Sequence, residues 1–343
     1  MIVCTLACAN HLAKAIVLAR SVKKHNPEVT FVLFLLEKKV LPEVNKVPWF
    51  DRVFLVERDV KPAGFQHTAF KYSRYESCSA FRAEALLYLL ETYQNENSLV
   101  LLDADIKVYA PLEKAEKLLE DHCILLTPHQ LEPGNNPFTV GEEMISLKDG
   151  IFNGGFLGIS RCRESFEFLE WWSKRLADFC YVNYGQGLFL DQKWLNLVPC
   201  FFSRYHILKH PGYNLAAWNF SHRRLSCKES RGELLVNNTH PLVFIHFSML
   251  GNQWFNTRLY NYIPGAKDPL HRLIRDYIKE ISSMGEERYK QLPWSYDYFA
   301  SGEKIDESVR AGFRSDEKLR ERIKNPFLLS NSCLKCGQCF SEN

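Results

Sequence analysis

Short, almost uninterrupted apolar runs constrain this chain more than any other feature. Residues 2–6 (IVCTL), 30–36 (TFVLFLL) and 99–102 (LVLL) show no regular alternation of polar and apolar side chains. A strand that is apolar on both faces needs cover on both faces, which is the situation in an α/β sheet and not in a half-solvated antiparallel one. Helical patterns separate the runs. Residues 9–24 carry Leu12, Ala15, Ile16, Ala19 and Val22 at near-helical spacing with a basic last turn, and Asn26-Pro27 ends the pattern because proline cannot continue the hydrogen-bond ladder. Residues 53–56 read as another short strand, and 79–93 as a helix feeding the run at 99–102. This alternation predicts parallel βαβ units. Ligands of such sheets bind beyond the carboxyl ends of the strands, so the residues after each run are the candidates for function.

Further along, 150–159 (GIFNGGFLGI) is a glycine-punctuated strand, implying close backbone approach. Residues 164–179 form an amphipathic helix carrying Trp171 and Trp172, and 243–245 a short strand ending at His246. Residues 269–283 are helical with Leu270, Leu273, Ile274, Tyr277, Ile278 and Ile281 on one face. An aromatic link, 293–299, leads to a charged helix over 304–324.

Composition excludes whole classes of function. Against 43 Lys+Arg stand 40 Asp+Glu, a net charge of +3, so neither a basic nucleic-acid binder nor an acidic disordered chain is expected. No apolar run reaches the roughly 18 residues of a membrane span, and the start lacks the basic region of a secretory signal. Eleven cysteines are present. Eight are scattered singly and read as reduced core thiols of a cytosolic protein. Cys333, Cys336 and Cys339 cluster at the C-terminus with metal-ligand spacing but only three thiols, one short of a closed zinc or cubane site. A reactive, disordered tail is the expectation there.

Asp103-Ala104-Asp105 follows the run at 99–102 directly. With 13 aspartates in the chain, one Asp-x-Asp arises by composition in about every second sequence of this kind, so position carries the argument. Carboxylates one residue apart in extended backbone point to one side and can hold Mg²⁺ or Mn²⁺ with phosphate oxygens completing the shell. Otherwise they are solvated groups at a strand end. His246 is either a packed terminal histidine or, in a matching position at the end of a strand of the same sheet, a third ligand. Asp191-Gln192 reads as a helix-start pair, where aspartate is favoured. Tyr213, Trp218 and Asn219 form either a sugar-stacking platform or connecting-segment core, and Trp171-Trp172 reads as core.

Taken in order, TLACANHLAKAIVLARS (5–21), VLLDAD (100–105), FNGGFLGIS (152–160), LDQKWLN (190–196) and IHF (245–247) resemble the metal-dependent nucleotide-sugar glycosyltransferases of the GT-A fold. The likeness is closest to family-8-like retaining enzymes of the glycogenin and lipopolysaccharide galactosyltransferase kind, and 293–327 is similar to tails of bacterial members. The resemblance implies a Rossmann-like, mostly parallel mixed α/β sheet flanked by helices over 1–262, a C-terminal helical extension at 263–326, and a flexible Cys-rich tail at 327–343. It implies that Asp103, Asp105 and His246 bind Mn²⁺ or Mg²⁺, with Asp103 also at the donor. Arg82, Asn153 and Gly154 would lie at the donor sugar and diphosphate, Thr5 and Asn10 at the base, and Asp191 and Gln192 beside the anomeric carbon as catalytic groups.

The implied reaction moves a sugar from a nucleoside-diphosphate sugar, a UDP-sugar first, to a carbohydrate or lipid-linked acceptor with retained configuration. The implied location is the cytoplasm or the inner membrane face, with no nucleic-acid partner. Departures exist. Cys8 or Ala9 and His11 stand where the family has acidic and tyrosine residues near the base. Met249 replaces a glycine, and the diphosphate lysine is missing from Asn252-Gln253-Trp254. Arg223 or Arg224 is a substitute clamp, although a solvated basic loop is the stronger expectation for both. A non-catalytic sugar-binding or scaffold protein on the same fold is the competing class. A nucleotidyltransferase ranks third, since 6–12 lacks the glycines of a phosphate loop.

Overall fold

The computed structural model describes residues 1–228 and 233–336. Its principal strands are β1 (Ile2–Ala7), β2 (Thr30–Leu35), β3 (Arg52–Leu55), β4 (Ser98–Leu102), β5 (Ile106–Val108), β6 (Ile124–Pro128) and β7 (Phe152–Ser160). The flanking helices are α1 (Leu12–His25), α2 (Phe65–Lys71), α3 (Arg74–Ala80), α4 (Arg82–Thr92), α5 (Glu113–Asp121), α6 (Pro137–Asp149) and α7 (Arg163–Phe179). A seven-stranded sheet runs in the order Tyr205–Ile207, β6, β7, β4, β1, β2, β3. All pairings are parallel except those of β7, which lies antiparallel between β4 and β6. The result is the mixed, mostly parallel α/β sheet with C-terminal helices that the sequence predicts.

The apolar runs are covered on both faces, as their composition requires. Alternate residues divide between two clusters. Cys4, Val32, Phe34, Leu99 and Leu101 pack with Leu86 and Leu89 of α4 and Phe168 and Trp172 of α7. Val3, Phe31, Val100 and Leu102 pack with Leu18 and Val22 of α1 and Leu119 of α5. The expected helix at 79–93 is divided: α3 and α4 meet at Phe81, whose φ and ψ of −96° and 8° are not helical.

The C-terminal segment joins these same layers. Leu270, Leu273, Ile274, Tyr277 and Ile281 of helix Pro269–Ser283 face Val17 and Phe247, with Phe247 and Tyr277 stacked at 3.9 Å. Trp294, Tyr296, Phe299, Val309, Phe313 and Phe327 enter the cluster on the α4/α7 side. The single helix expected over 304–324 is two, Glu307–Ser315 and Glu317–Arg322, because the Asp316 side chain accepts the Leu319 N–H and caps the second.

Two of the eight singly placed cysteines are not thiols: Cys123 and Cys162 form a disulfide between the start of β6 and the turn after β7. The expectation of eight reduced thiols is corrected for this pair, whose 39-residue separation hides a contact made by neighbouring strands. Cys333 and Cys336 lie on helix Asn331–Cys336, which docks through Leu334. Cys339 lies outside the described residues. No helix among the described residues is long and apolar enough to cross a membrane.

Candidate active site

The carboxyl end of β4, the bend out of the sheet after it and the start of β7 build the site. The Asp103 N–H donates to the Gly155 carbonyl at 2.9 Å, ending β4 and starting the turn through Asp105. The chain then enters β5, which pairs antiparallel with Phe244–His246 in a separate two-stranded sheet, His246 opposite Ile106. This corrects the expectation that the strand ending at His246 belongs to the main sheet. The antiparallel register itself delivers the histidine: Nε2 of His246 lies 3.0 Å from Asp105 Oδ1 and 3.6 Å from Asp103 Oδ2. Among the described residues, Asp103, Asp105 and His246 are the one group of at least three such side chains placed to hold a metal, with ligand atoms within 4.8 Å of one another. Two carboxylates and one imidazole are a donor set that suits a divalent cation.

Electrostatics follow from burial and pairing. Burial alone would raise the carboxyl of Asp105, but the adjacent imidazole holds it well below the usual carboxylate range. Burial opposes the charged form of His246, and the carboxylates of Asp105 and Asp103 outweigh it and raise its pKa.

Arg82, first residue of α4, ties the carboxylates together. Its Nη1 donates to Asp191 Oδ2 at 2.7 Å and to the Gly154 carbonyl at 2.8 Å, and its Nη2 donates to Asp103. Asp191 is nearly inaccessible, and burial raises its pKa against the pull of Arg82. Trp172 is core, as expected, yet its indole N–H holds the Asp191 carbonyl at 3.2 Å. Gln192 is fully engaged. Its Oε1 accepts from the Gly154 N–H at 2.9 Å and from Asn153 Nδ2 at 3.1 Å, and its Nε2 donates to the Asp149 carbonyl at 3.1 Å.

These groups open onto a cavity of about 450 Å³ lined by Arg82, Asp103, Asn153, Gly154, Asp191, Gln192 and His246, with α6 contributing Ile145, Ser146 and Asp149. Asp105 faces the same metal-binding group from beside the cavity. Thr5 and Asn10 do not line it. They sit at the carboxyl end of β1, where Thr5 Oγ1 and Asn10 Oδ1 are buried without a hydrogen-bond partner. Of the aromatic platform only Trp218 reaches the cavity, packed edge-on against His246 and His129. Tyr213 packs against Phe156 and Phe244, and Asn219 caps its own turn through the Ala216 N–H.

Arg223 is neither a phosphate clamp nor a solvated loop residue. It is buried, bonded to the carbonyls of Tyr213 and Asn214, and burial lowers its pKa to about 9. Arg224 donates to the Tyr262 carbonyl.

Sequence reasoning missed His129 and Asn214. His129 follows β6, and burial lowers its pKa to about 4, keeping the ring neutral. Asn214 adopts φ 61° and donates to Asn153 Oδ1 and Thr127 Oγ1, both at 3.1 Å. The available signal was the strand-like CILLTP at 123–128, whose carboxyl end is another ligand-facing edge.

No protein-family model matches the chain. Two Bacillus subtilis (strain 168) proteins are similar in sequence. Uncharacterized protein YfnD is 21% identical over 248 residues, covering 71% of this chain and 76% of its own. Uncharacterized protein YfnF is 24% identical over 256 residues, covering 71% and 80%. Among solved structures, the galactosyltransferase LgtC in complex with donor and acceptor sugar analogs is 16% identical with a TM-score of 0.48, over 85% of this chain and 98% of that one. The apo form of mouse xyloside xylosyltransferase 1 is 14% identical with a TM-score of 0.43, over 73% and 98%. Both of these solved structures are glycosyltransferases.

Proposed function

We propose that this chain is a GT-A-type glycosyltransferase that uses Mn²⁺ or Mg²⁺ to move a sugar from a nucleoside-diphosphate sugar, a UDP-sugar first, to a carbohydrate or lipid-linked acceptor with retention. One observation carries the reading: Asp103, Asp105 and His246 converge beside Arg82 and Asp191 at one cavity. The buried, unpartnered Thr5 Oγ1 and Asn10 Oδ1 support a base site at the end of β1.

The residues divide the work. A bound Mn²⁺ or Mg²⁺ supplies Lewis acidity for the diphosphate as it departs. Asp103 and Asp105 hold their charge toward that side, and His246 offers a ring nitrogen. Arg82 fixes Asp103 and Asp191 in one arrangement, so the charges need no reorganisation during reaction. Asp191 is the carboxylate set to face the positive charge that develops on the sugar ring. Gln192 has both its amide groups hydrogen-bonded, so it shapes the wall under Gly154 while Asp191 carries the charge. Trp218 and Ile145 of α6 add apolar surface to the cavity wall.

The test is release of nucleoside diphosphate from a panel of sugar donors with Mn²⁺ or Mg²⁺ present. Release from at least one donor is expected, falling at least about 100-fold in Asp105→Asn and Asp191→Asn, the size of effect for removing one aligned charge-stabilising group. A wild-type chain that binds donors but releases nothing from any of them, with or without acceptors, overturns the transferase in favour of the binding-protein class.

A further inference from the structure

The imidazole of His246 has two nitrogens and only one faces the carboxylates. Nε2 points to Asp105 and Asp103, while Nδ1 lies 3.2 Å from Asn153 Oδ1. Which Asn153 atom is oxygen follows from a group that can only donate: the Gly155 backbone N–H lies 3.1 Å from Oδ1. The Asn214 amide reaches the same atom through Nδ2 at 3.1 Å. The opposite end of the amide is set independently, because the Gly154 N–H at 2.9 Å fixes Gln192 Oε1 as an acceptor and Asn153 Nδ2 donates to it at 3.1 Å. Two backbone N–H groups of β7 therefore orient both amides. With Oδ1 an acceptor, Nδ1 of His246 must carry a ring proton, so Nε2, on the carboxylate side, is the nitrogen at which a metal ion would take the place of a proton. The fit is close. A Cβ on Gly155 would come 2.4 Å from His246 Cε1 and 2.8 Å from Asn153 Oδ1, so only a glycine permits the approach.

We propose that Asn153 is a positioning residue of the metal centre, holding His246 in the Nδ1–H tautomer with Nε2 free to ligate. The inference rests on the metal-dependent reading above and changes the role of Asn153 within it, from a contact of the donor sugar to a partner of the histidine. It also explains why one asparagine is tied to Gln192 and His129, since its Nδ2 lies 3.3 Å from His129 Nε2. A shift of this amide moves the metal ligand and the cavity wall together. Second-sphere partners of ligating histidines act in this way, and their loss weakens metal binding about 10–100-fold.

The experiment is titration of the full chain with Mn²⁺ alone, without donor or acceptor, alongside thermal unfolding of each variant. Asn153→Leu removes the acceptor and is expected to bind Mn²⁺ about 10–100-fold more weakly. Asn153→Asp keeps an oxygen opposite Nδ1 and is expected to stay near the wild-type affinity. In the Mg²⁺-loaded wild type, nitrogen chemical shifts of His246 report the protonated ring nitrogen directly, and Nδ1–H is expected whatever the variants do. Equal Mn²⁺ affinity in wild type and Asn153→Leu, an equal loss in both variants, or a proton on Nε2 in the Mg²⁺-loaded protein overturns the inference and leaves the transferase reading standing. A wild type that binds neither ion overturns the metal reading and this inference with it.

Discussion

Gly155 tests the site at the scale of one atom. Its position on β7 leaves no room for a methyl group, which would meet His246 Cε1 at 2.4 Å and Nδ1 at 2.8 Å. In Gly155→Ala either the imidazole rotates away from Asp105 or β7 shifts from β4, and the strand is buried throughout and paired on both edges. The imidazole is the softer of the two, so we expect Mn²⁺ binding to be lost with a modest destabilisation of about 1–3 kcal/mol, the range for overpacking a core. Calorimetric titration with Mn²⁺ and a urea melt check this together. Retained Mn²⁺ binding would mean that β7 yields instead. At this scale the sequence was informative wherever a residue's role depended on chain position. Asp103 and Asp105 sit at the end of an apolar run, and the glycines of 150–159 announce close approach. The Asn153 network was not legible, because its meaning depends on the hydrogen-bond direction of Gln192, 39 residues away, and of two backbone N–H groups. The apparent phosphate clamp Arg223 misled for a related reason: a run of two arginines says nothing about carbonyls folded around one of them.

Elements were legible where their pattern was local and illegible where partners chose them. The helix at 164–179 matches its apolar spacing, and that at 269–283 buries Leu270, Leu273, Ile274, Tyr277 and Ile281 as expected but leaves Ile278, expected on the same face, exposed. The strand ending at His246 was recognised, but its pairing with β5 was not, since three residues carry no mark of sheet membership. Arg310 offers a test of how one element supports another. It lies on helix Glu307–Ser315, is nearly buried, and donates to the carbonyls of Ala69, Phe70 and Tyr72 at the end of α2 and to the Tyr296 carbonyl. These are carbonyls at a helix C-terminus, which have no partner within the helix. In Arg310→Met the apolar stem is kept and the donors are lost, so buried carbonyls are left unpaired at about 1–3 kcal/mol for the first and less for any that relax. The expected result is a urea midpoint lowered by the equivalent of about 3 kcal/mol with an unchanged slope. An unchanged midpoint would mean that water replaces the guanidinium. The disulfide makes a second test, because closing a loop of this length is worth about 4 kcal/mol in the chain-entropy estimate. Cys123→Ser/Cys162→Ser is expected to melt well below the oxidised wild type and close to the reduced wild type, and equal melting of all three would remove any stabilising role for the bond.

At the scale of the whole molecule, the α/β class followed from the two-faced apolar runs, because no other arrangement covers both faces of so many strands. Strand order did not follow. The antiparallel insertion of β7 between β4 and β6 is a long-range choice, and β6 went unread although CILLTP at 123–128 is strand-like. The sequence also suggested a boundary near residue 262, where composition changes. The packing argues that the two sides fold together. Trp294, Tyr296, Phe299, Val309, Phe313 and Phe327 sit in one cluster with Cys4, Val32, Phe34 and Leu99. The contact is polar as well as apolar: the Trp294 indole donates to the Leu36 carbonyl at 2.9 Å, and Ser295 N–H donates to Glu37 at 2.9 Å while Glu37 accepts the Ala9 N–H at 3.0 Å. Burying six large apolar side chains stabilises by roughly 9–18 kcal/mol at about 1.5–3 kcal/mol each, against a total stability of about 5–15 kcal/mol for an ordinary domain. Removing them also uncovers their partners on α2, α4 and β2 and leaves Glu37 short of two donors next to the carboxyl end of β1. The ordering entropy released with the tail offsets part of this loss but does not restore cover to the sheet. A chain ending at residue 262 is therefore expected to show no cooperative thermal transition, to bind a hydrophobic dye, and to lose Mn²⁺ binding, whereas one ending at residue 336 should unfold cooperatively and bind Mn²⁺ like the full chain. A sharp transition in the shorter chain, with Mn²⁺ binding intact, would make the extension an accessory to a self-sufficient sheet and return the boundary near residue 262 to the status of a true domain limit.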